Sequence, residues 1–244
     1  MQENKLGLAL PNSDEFVGKV VLITGGSSGI GLATANKFAE QGAYPIILDQ
    51  KAPPLSNNEG AFMPVDVSDW LKTEQAVTRA ANIRGGLDIV VNNAAFKIPG
   101  SILDISSEEF KRMLLSNGLG MWNVAKAALP HLIESRGVLI NVCSGGSEDL
   151  PPNTDGYFAS KGVSISLTHA LHASFNDRGV SVIGIAPGPV DTPLWRTGKT
   201  SEQIALSLQG MRGPIVVQPD EIANYILCAA SKNSSRLSGK VLSF

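Results

Sequence analysis

The sequence predicts one α/β domain, a doubly wound parallel sheet with helices on both faces, and two patterns carry that prediction. From Lys19 onward short β-branched runs alternate with helical stretches, with no repeat and no low-complexity tract. The first run, Val20-Val21-Leu22-Ile23-Thr24, stops at Gly25-Gly26-Ser27-Ser28-Gly29-Ile30-Gly31, and a helical pattern from Leu32 to Gln41 follows. That order reads as a buried strand, a tight turn and a helix start. With 244 residues, 43% of them hydrophobic, the chain can bury a substantial core.

Taken in order, residues 1–16 read as a flexible leader, because Pro11 and Asn12-Ser13-Asp14 break any helix. The domain then occupies residues 17–244. Strands are expected at 20–24, 45–49, 61–65, 87–92, 137–142, 180–185 and 240–242. Helices are expected at 29–41, 68–82, 107–116 running on near 120–135, 157–178 and 219–231. Ser68 and Ser107 are read as N-caps. The stretch after Thr192, rich in Pro, Gly and Thr, reads as a loop.

Composition excludes several function classes. A net charge of −2 gives no electrostatic case for nucleic acid or an anionic membrane. No apolar run is long enough to span a bilayer, and residues 1–15 hold no signal-peptide core, so a cytoplasmic protein is expected. Cys143 and Cys228 sit in apolar segments and read as reduced core residues. His131, His169 and His172 lack a cluster of further ligands, so no metal site is expected.

The glycine loop has a physical purpose. Gly25 can take backbone angles closed to other residues. Gly29 and Gly31 hold nothing away from the strand, and the helix N-terminus offers unpaired N–H groups to a phosphate. Ser27, Ser28 and Ile30 complete the loop. The second strand, Pro45-Ile46-Ile47-Leu48, ends in Asp49, whose carboxylate can accept both ribose hydroxyls of an adenosine and repels a 2′-phosphate. Asp66-Val67 after the third strand can hold an adenine edge, or Asp66 can simply start a helix. Asn92-Asn93-Ala94-Ala95 after the fourth strand suits a turn lying against a ligand, or a plain turn.

Ser144 ends the fifth strand, and thirteen residues later comes Tyr157-Phe158-Ala159-Ser160-Lys161. Tyr157 and Lys161, four apart, share one helix face. A free tyrosine titrates near pH 10. A neighbouring ammonium favours the phenolate, which makes the pair a proton donor and acceptor for an alcohol oxygen. Taken alone the pair also reads as a surface ion–aromatic contact.

Together these residues resemble the classical short-chain dehydrogenase/reductase family from Lys19 to Leu242. The matching motifs are Thr24-Gly25-x3-Gly29-Ile30-Gly31, Asp66, Asn92-Asn93-Ala94, Asn117, Ser144, Tyr157-x3-Lys161 and Pro187-Gly188. Ala95 stands where the family usually has Gly. The resemblance implies a Rossmann-like fold binding NAD, with NADP disfavoured by Asp49. It implies Tyr157 as general acid/base, with Lys161 lowering its pKa and contacting the nicotinamide ribose. Ser144 would orient the substrate oxygen and Asn117 would hold a relay water. Pro187, Gly188, Val190 and Thr192 would bracket the nicotinamide. The implied reaction is hydride exchange with a secondary alcohol or ketone, a small-molecule substrate. The implied assembly is a homo-oligomer, tetramer or dimer, through the helices at 107–135 and 157–178.

Two other readings compete. A non-catalytic nucleotide-binding regulator would not need Asn117, Ser144, Tyr157 and Lys161 together. An epimerase or dehydratase of the extended branch would have a different glycine spacing and a larger carboxyl-terminal domain. Substrate identity is not legible. Phe96, Leu150, Phe158, Leu194 and Trp195 fit an apolar pocket or the core, and Lys97 and Arg196 fit an anion or solvent.

Overall fold

The computed structural model describes residues 14–54, 60–144, 150–210 and 215–244. Seven strands form one parallel sheet: β1 (Val20–Thr24), β2 (Tyr44–Asp49), β3 (Ala61–Pro64), β4 (Ile89–Asn92), β5 (Val138–Val142), β6 (Ser181–Ala186) and β7 (Val241–Ser243). Their order is β3-β2-β1-β4-β5-β6-β7. The chain winds outward from β1 through β2 to β3, then returns to pair β4 on the other side of β1 in the register Leu22↔Val90. That reversal opens a crevice beyond the carboxyl ends of β1 and β4.

Alternation along the strands divides the core. Val20 and Leu22 face one layer, with Val77, Ala80, Val124, Ala128 and Leu167 from α2 (Trp70–Arg84), α4 (Met121–Ser135) and α5 (Asp155–Phe175). Val21 and Ile23 face the other, with Ala35 and Phe38 from α1 (Gly29–Glu40) and Ile222 and Ile226 from α8 (Pro219–Ala230). Strands apolar on both sides are what a doubly covered parallel sheet requires.

Capping differs by one residue from the expectation in two places. Asp69, not Ser68, caps α2, its carboxylate accepting from the Lys72 N–H at 3.1 Å. Ser68 instead donates to Asp66 in a local turn, through its backbone at 2.9 Å and its hydroxyl at 2.7 Å. Ser106, not Ser107, caps α3 (Ser107–Leu114), reciprocally with Glu109. Between α3 and α4 the helix widens into a π turn, Leu115–Gly120. The stretch after Thr192, expected as loop, holds α6 (Pro193–Arg196) and α7 (Ser201–Leu208), capped by Thr192 and Thr200.

The leader expected at 1–16 lies outside the described residues as far as residue 13. Phe16, within that leader, is part of the core: it is 2% exposed and meets the Phe38 ring edge-on at 5.1 Å. The neighbouring Glu15 carboxylate accepts from the Lys232 N–H at 2.6 Å. Phe16→Ala should therefore lower folding stability by about 3–5 kcal/mol in a denaturant titration. A loss below about 1 kcal/mol would show that the ring adds little to the core.

Candidate active site

The crevice is built by a clasp between its two banks. The fully buried Thr24 hydroxyl, at the end of β1, accepts from the Asn93 and Ala94 N–H groups, each at 3.0 Å. The Asn93 amide donates back to the carbonyls of Thr24 at 2.9 Å and Gly25 at 3.1 Å. Gly31 is packed beneath this clasp. A Cβ there would lie 2.2 Å from the Gly25 carbonyl oxygen and 2.6 Å from the Asn93 amide nitrogen, so nothing larger than glycine fits. Gly25 and Gly29 have φ of +64° and +53°, which glycine adopts without strain. Ser28 is the N-cap of α1 with no side-chain cap bond, so the first-turn N–H groups face the crevice.

A cleft of about 600 Å³ runs along this edge. Of the residues expected at a cofactor, Gly25, Ser28, Gly29, Ile30, Asp49, Asp66, Val67, Ala94 and Thr192 line it. Ser27 instead donates its N–H to Asp49 at 3.0 Å, and Lys51 does the same at 3.2 Å, so both carboxylate oxygens are aligned by backbone donors. Leu115, Ser116 and Arg112 also line the cleft, contributed by α3 and the π turn. Asn92 does not. It is buried, and its amide donates to the Met121 carbonyl at 2.8 Å; the neighbouring Asn93 faces the crevice instead. Pro187, Gly188 and Val190 sit just outside, in a segment stitched to the chain at Val217 and Phe244. A cradle that a Cβ would fill, a row of helix N–H donors and an aligned carboxylate form a donor set that fits a dinucleotide.

Asn117, inside the π turn, is fully buried and braces three elements. Its Oδ1 accepts from the Phe96 N–H at 2.7 Å, and its Nδ2 donates to the Phe96 carbonyl and to Ser160 Oγ, both at 2.8 Å. Both side-chain N–H groups are thus spent on α5 and the loop after β4. A relay water at this residue would have to donate to one of its carbonyl oxygens.

Ser144, Tyr157 and Lys161 come together where β5 ends and α5 begins. Burial pushes the Tyr157 phenol above its ordinary pKa, and a hydrogen bond with Ser144 offsets part of that rise. Lys161 is 1% exposed, and its ammonium donates to the Val142 carbonyl at 2.6 Å. Burial lowers its pKa to about 8, against a smaller opposing effect of Cys143. The expectation that Lys161 lowers the pKa of Tyr157 is not met in this arrangement. The ammonium is engaged with the strand, and burial decides the direction for the phenol.

A match to the short chain dehydrogenase family model extends over residues 19–203. The chain belongs to the short-chain dehydrogenases. Their nicotinamide cofactor is the dinucleotide that the cradle fits. The chain is 35% identical over 233 residues to an L-fucose dehydrogenase of Mus musculus, covering 89% of this chain and 84% of the relative. It is 32% identical to a glucose 1-dehydrogenase of Gluconobacter oxydans, covering 95% and 92%. A ligand-free aldohexose dehydrogenase of Thermoplasma acidophilum superposes with a TM-score of 0.86 at 26% identity, covering 94% of this chain and 93% of that one. A short chain dehydrogenase from Burkholderia cenocepacia in complex with NADP superposes with a TM-score of 0.83 at 27% identity, covering 94% and 97%.

This short-chain dehydrogenase thus has a seven-stranded Rossmann-like sheet. Among its described residues no helix is long and apolar enough to cross a membrane, and no group of metal-binding side chains occurs. His172, one of the three histidines, pairs with Ser238 Oγ at 2.9 Å. Gly31→Ala should cost about 1–3 kcal/mol of stability and weaken NADH binding, read by denaturant titration and by NADH fluorescence. Unchanged values for both would mean that the clasp yields without cost.

Proposed function

We propose that this oxidoreductase exchanges a hydride between a nicotinamide cofactor, NAD in preference to NADP, and a secondary alcohol or ketone. The observation that carries the reading is the Ser144–Tyr157 hydrogen bond where β5 ends and α5 begins, with buried Lys161 one helical turn further along α5. Ser144 holds the substrate oxygen and keeps the phenol oriented. Tyr157 gives its proton to the carbonyl oxygen in reduction, and as phenolate takes the hydroxyl proton in oxidation. Lys161 is the nearest cation on the same helix face and would reach the nicotinamide ribose. The bound nicotinamide supplies or accepts the hydride of the carbinol carbon. Gly25 to Gly31 hold the pyrophosphate, and Thr192 with Leu194 closes over the far end.

Asp49 supports NAD. Its two oxygens, oriented by Ser27 and Lys51, suit ribose hydroxyls and repel a phosphate. A homo-oligomer, tetramer or dimer, goes with the same reading. Leu119, Trp122 and Val163 are exposed on the π turn, α4 and α5, where an apolar face suits a second copy.

Tyr157→Phe should lower kcat by ~10²–10⁴-fold with NAD binding kept, in steady-state assays beside an NAD titration. Near-normal turnover would sink the mechanism. Because the Ser144 hydrogen bond lowers the phenol pKa, Ser144→Ala should raise it. Less phenolate is then present at any given pH, and the alkaline rise of the oxidation rate should move to higher pH. A rise at unchanged or lower pH would contradict the assigned contact. Asp49→Asn keeps the acceptor for Ser27 and removes the charge. The ratio of kcat/KM with NADP to that with NAD should climb about tenfold, equivalent to about 1.4 kcal/mol. No change in that ratio would reject Asp49 as the discriminating group.

A further inference from the structure

Two loops meet on the substrate side of the cleft. The first follows β4. Phe96 lines the cleft and is locked to Asn117, and Gly100 pairs with Thr154 just ahead of α5, its N–H donating to the Asn153 carbonyl at 2.8 Å. The segment 97–99 therefore runs between the cleft and the start of the helix that bears Tyr157. The second loop leaves α6. At Gly198, with φ of +78°, it lies so close to Pro99 that a Cβ there would come within 2.6 Å of the proline ring. This contact brings Lys97 and Lys199, on either side of it, into one half-buried place.

The charges there are unbalanced. Among the described residues Lys97 has neither a hydrogen bond nor an ion-pair partner. Lys199 donates to the Trp195 carbonyl and rests over the Trp195 ring at 4.2 Å, with no ion-pair partner among the described residues. Arg196, which on sequence fitted an anion or solvent, is paired with Asp191 through two bonds of 2.6 and 2.8 Å. Burial lowers the pKa of Lys97, and burial together with the charge of Lys97 brings that of Lys199 to about 8. Two half-buried ammonium groups held together, with no counter-charge among the described residues, are stabilised by an anionic guest.

We propose that Lys97 and Lys199 form an anion subsite for the substrate, which therefore carries a carboxylate or a phosphate monoester away from its reacting carbinol. The inference rests on the proposed dehydrogenase reading, because it takes the substrate to lie between the cleft and Tyr157. The named relatives act on aldoses, so a matched aldose series is a direct probe.

D-Glucose, D-glucuronate and D-glucose 6-phosphate differ only at carbon 6. Each would be titrated into the protein–NADH complex by calorimetry and assayed for NAD reduction. At least one anionic sugar should bind about tenfold more tightly than glucose, and the stronger of the two names the group preferred. Lys97→Met and Lys199→Met should each collapse that preference, and Lys97→Arg should restore it, with the unfolding midpoint of each variant confirming the fold. Equal affinity for all three sugars, no measurable binding of either anionic sugar, or a preference that survives both methionine variants would overturn the subsite. Anion binding that depends on the lysines, without NAD reduction of any sugar, would count against the proposed reaction and leave the subsite standing.

Discussion

The hydroxyl of Thr24 holds the two banks of the crevice together, and the rest of the site depends on it. It is one oxygen, fully buried at the end of β1, accepting two N–H groups from the turn after β4. Strands β1 and β4 are adjacent only because the chain reverses its winding there, and a parallel sheet leaves that edge with unpaired backbone donors. Asn93 completes the closure by donating to the carbonyls of Thr24 and Gly25. Once those carbonyls are fixed, α1 can approach only where Gly31 adds no side chain. The glycine is thus a consequence of the clasp, and the open cradle at the start of α1 is a consequence of the glycine.

A second brace carries this order to the start of α5. Asn117 ties the loop after β4 to α5 through Phe96 and Ser160. Ser160 also donates to the Tyr157 carbonyl at 2.7 Å, so the turn of α5 that bears the phenol is held from below. The π turn lets an amide reach both partners from within a continuous helix, and such widenings recur at functional sites. Gly120, at the end of that turn, admits Val67, which lines the cleft beside Asp66. The two ends of the cleft are therefore registered through one helical irregularity.

The sheet and the glycine loop were legible because their signals are local. Alternating runs, a strand that stops at glycine and an acid at the next strand end require no knowledge of what packs on them. The caps were displaced by one residue because Asp66-Val67-Ser68-Asp69 contains two competing acceptors, and the Asx turn at Asp66 takes Ser68 before the helix can use it. Helices α6 and α7 were hidden by their shortness and by Gly198 between them. Asn92 and Asn93 are adjacent amides on opposite sides of the chain, so spacing alone does not tell which one faces the ligand. Phe16 follows a helix-breaking stretch, yet its ring is as apolar as any in the core, and burial outweighs local propensity.

The electrostatics were the least legible part. The sequence places Tyr157 and Lys161 on one helix face, which suggests an ammonium beside a phenol. In the fold, the Lys161 ammonium lies inside the protein against the Val142 carbonyl, and its pKa of about 8 reflects burial before any partner. The phenol then responds chiefly to its own burial, tempered by Ser144. A raised phenol pKa keeps the proton on Tyr157 at neutral pH, which, on the proposed reading, suits donation to a carbonyl. Abstraction from an alcohol needs further positive charge near the phenolate. On the proposed reading, the direction of catalysis would be an electrostatic property of the loaded crevice, set by how much cationic charge faces the phenol once cofactor and substrate are in place.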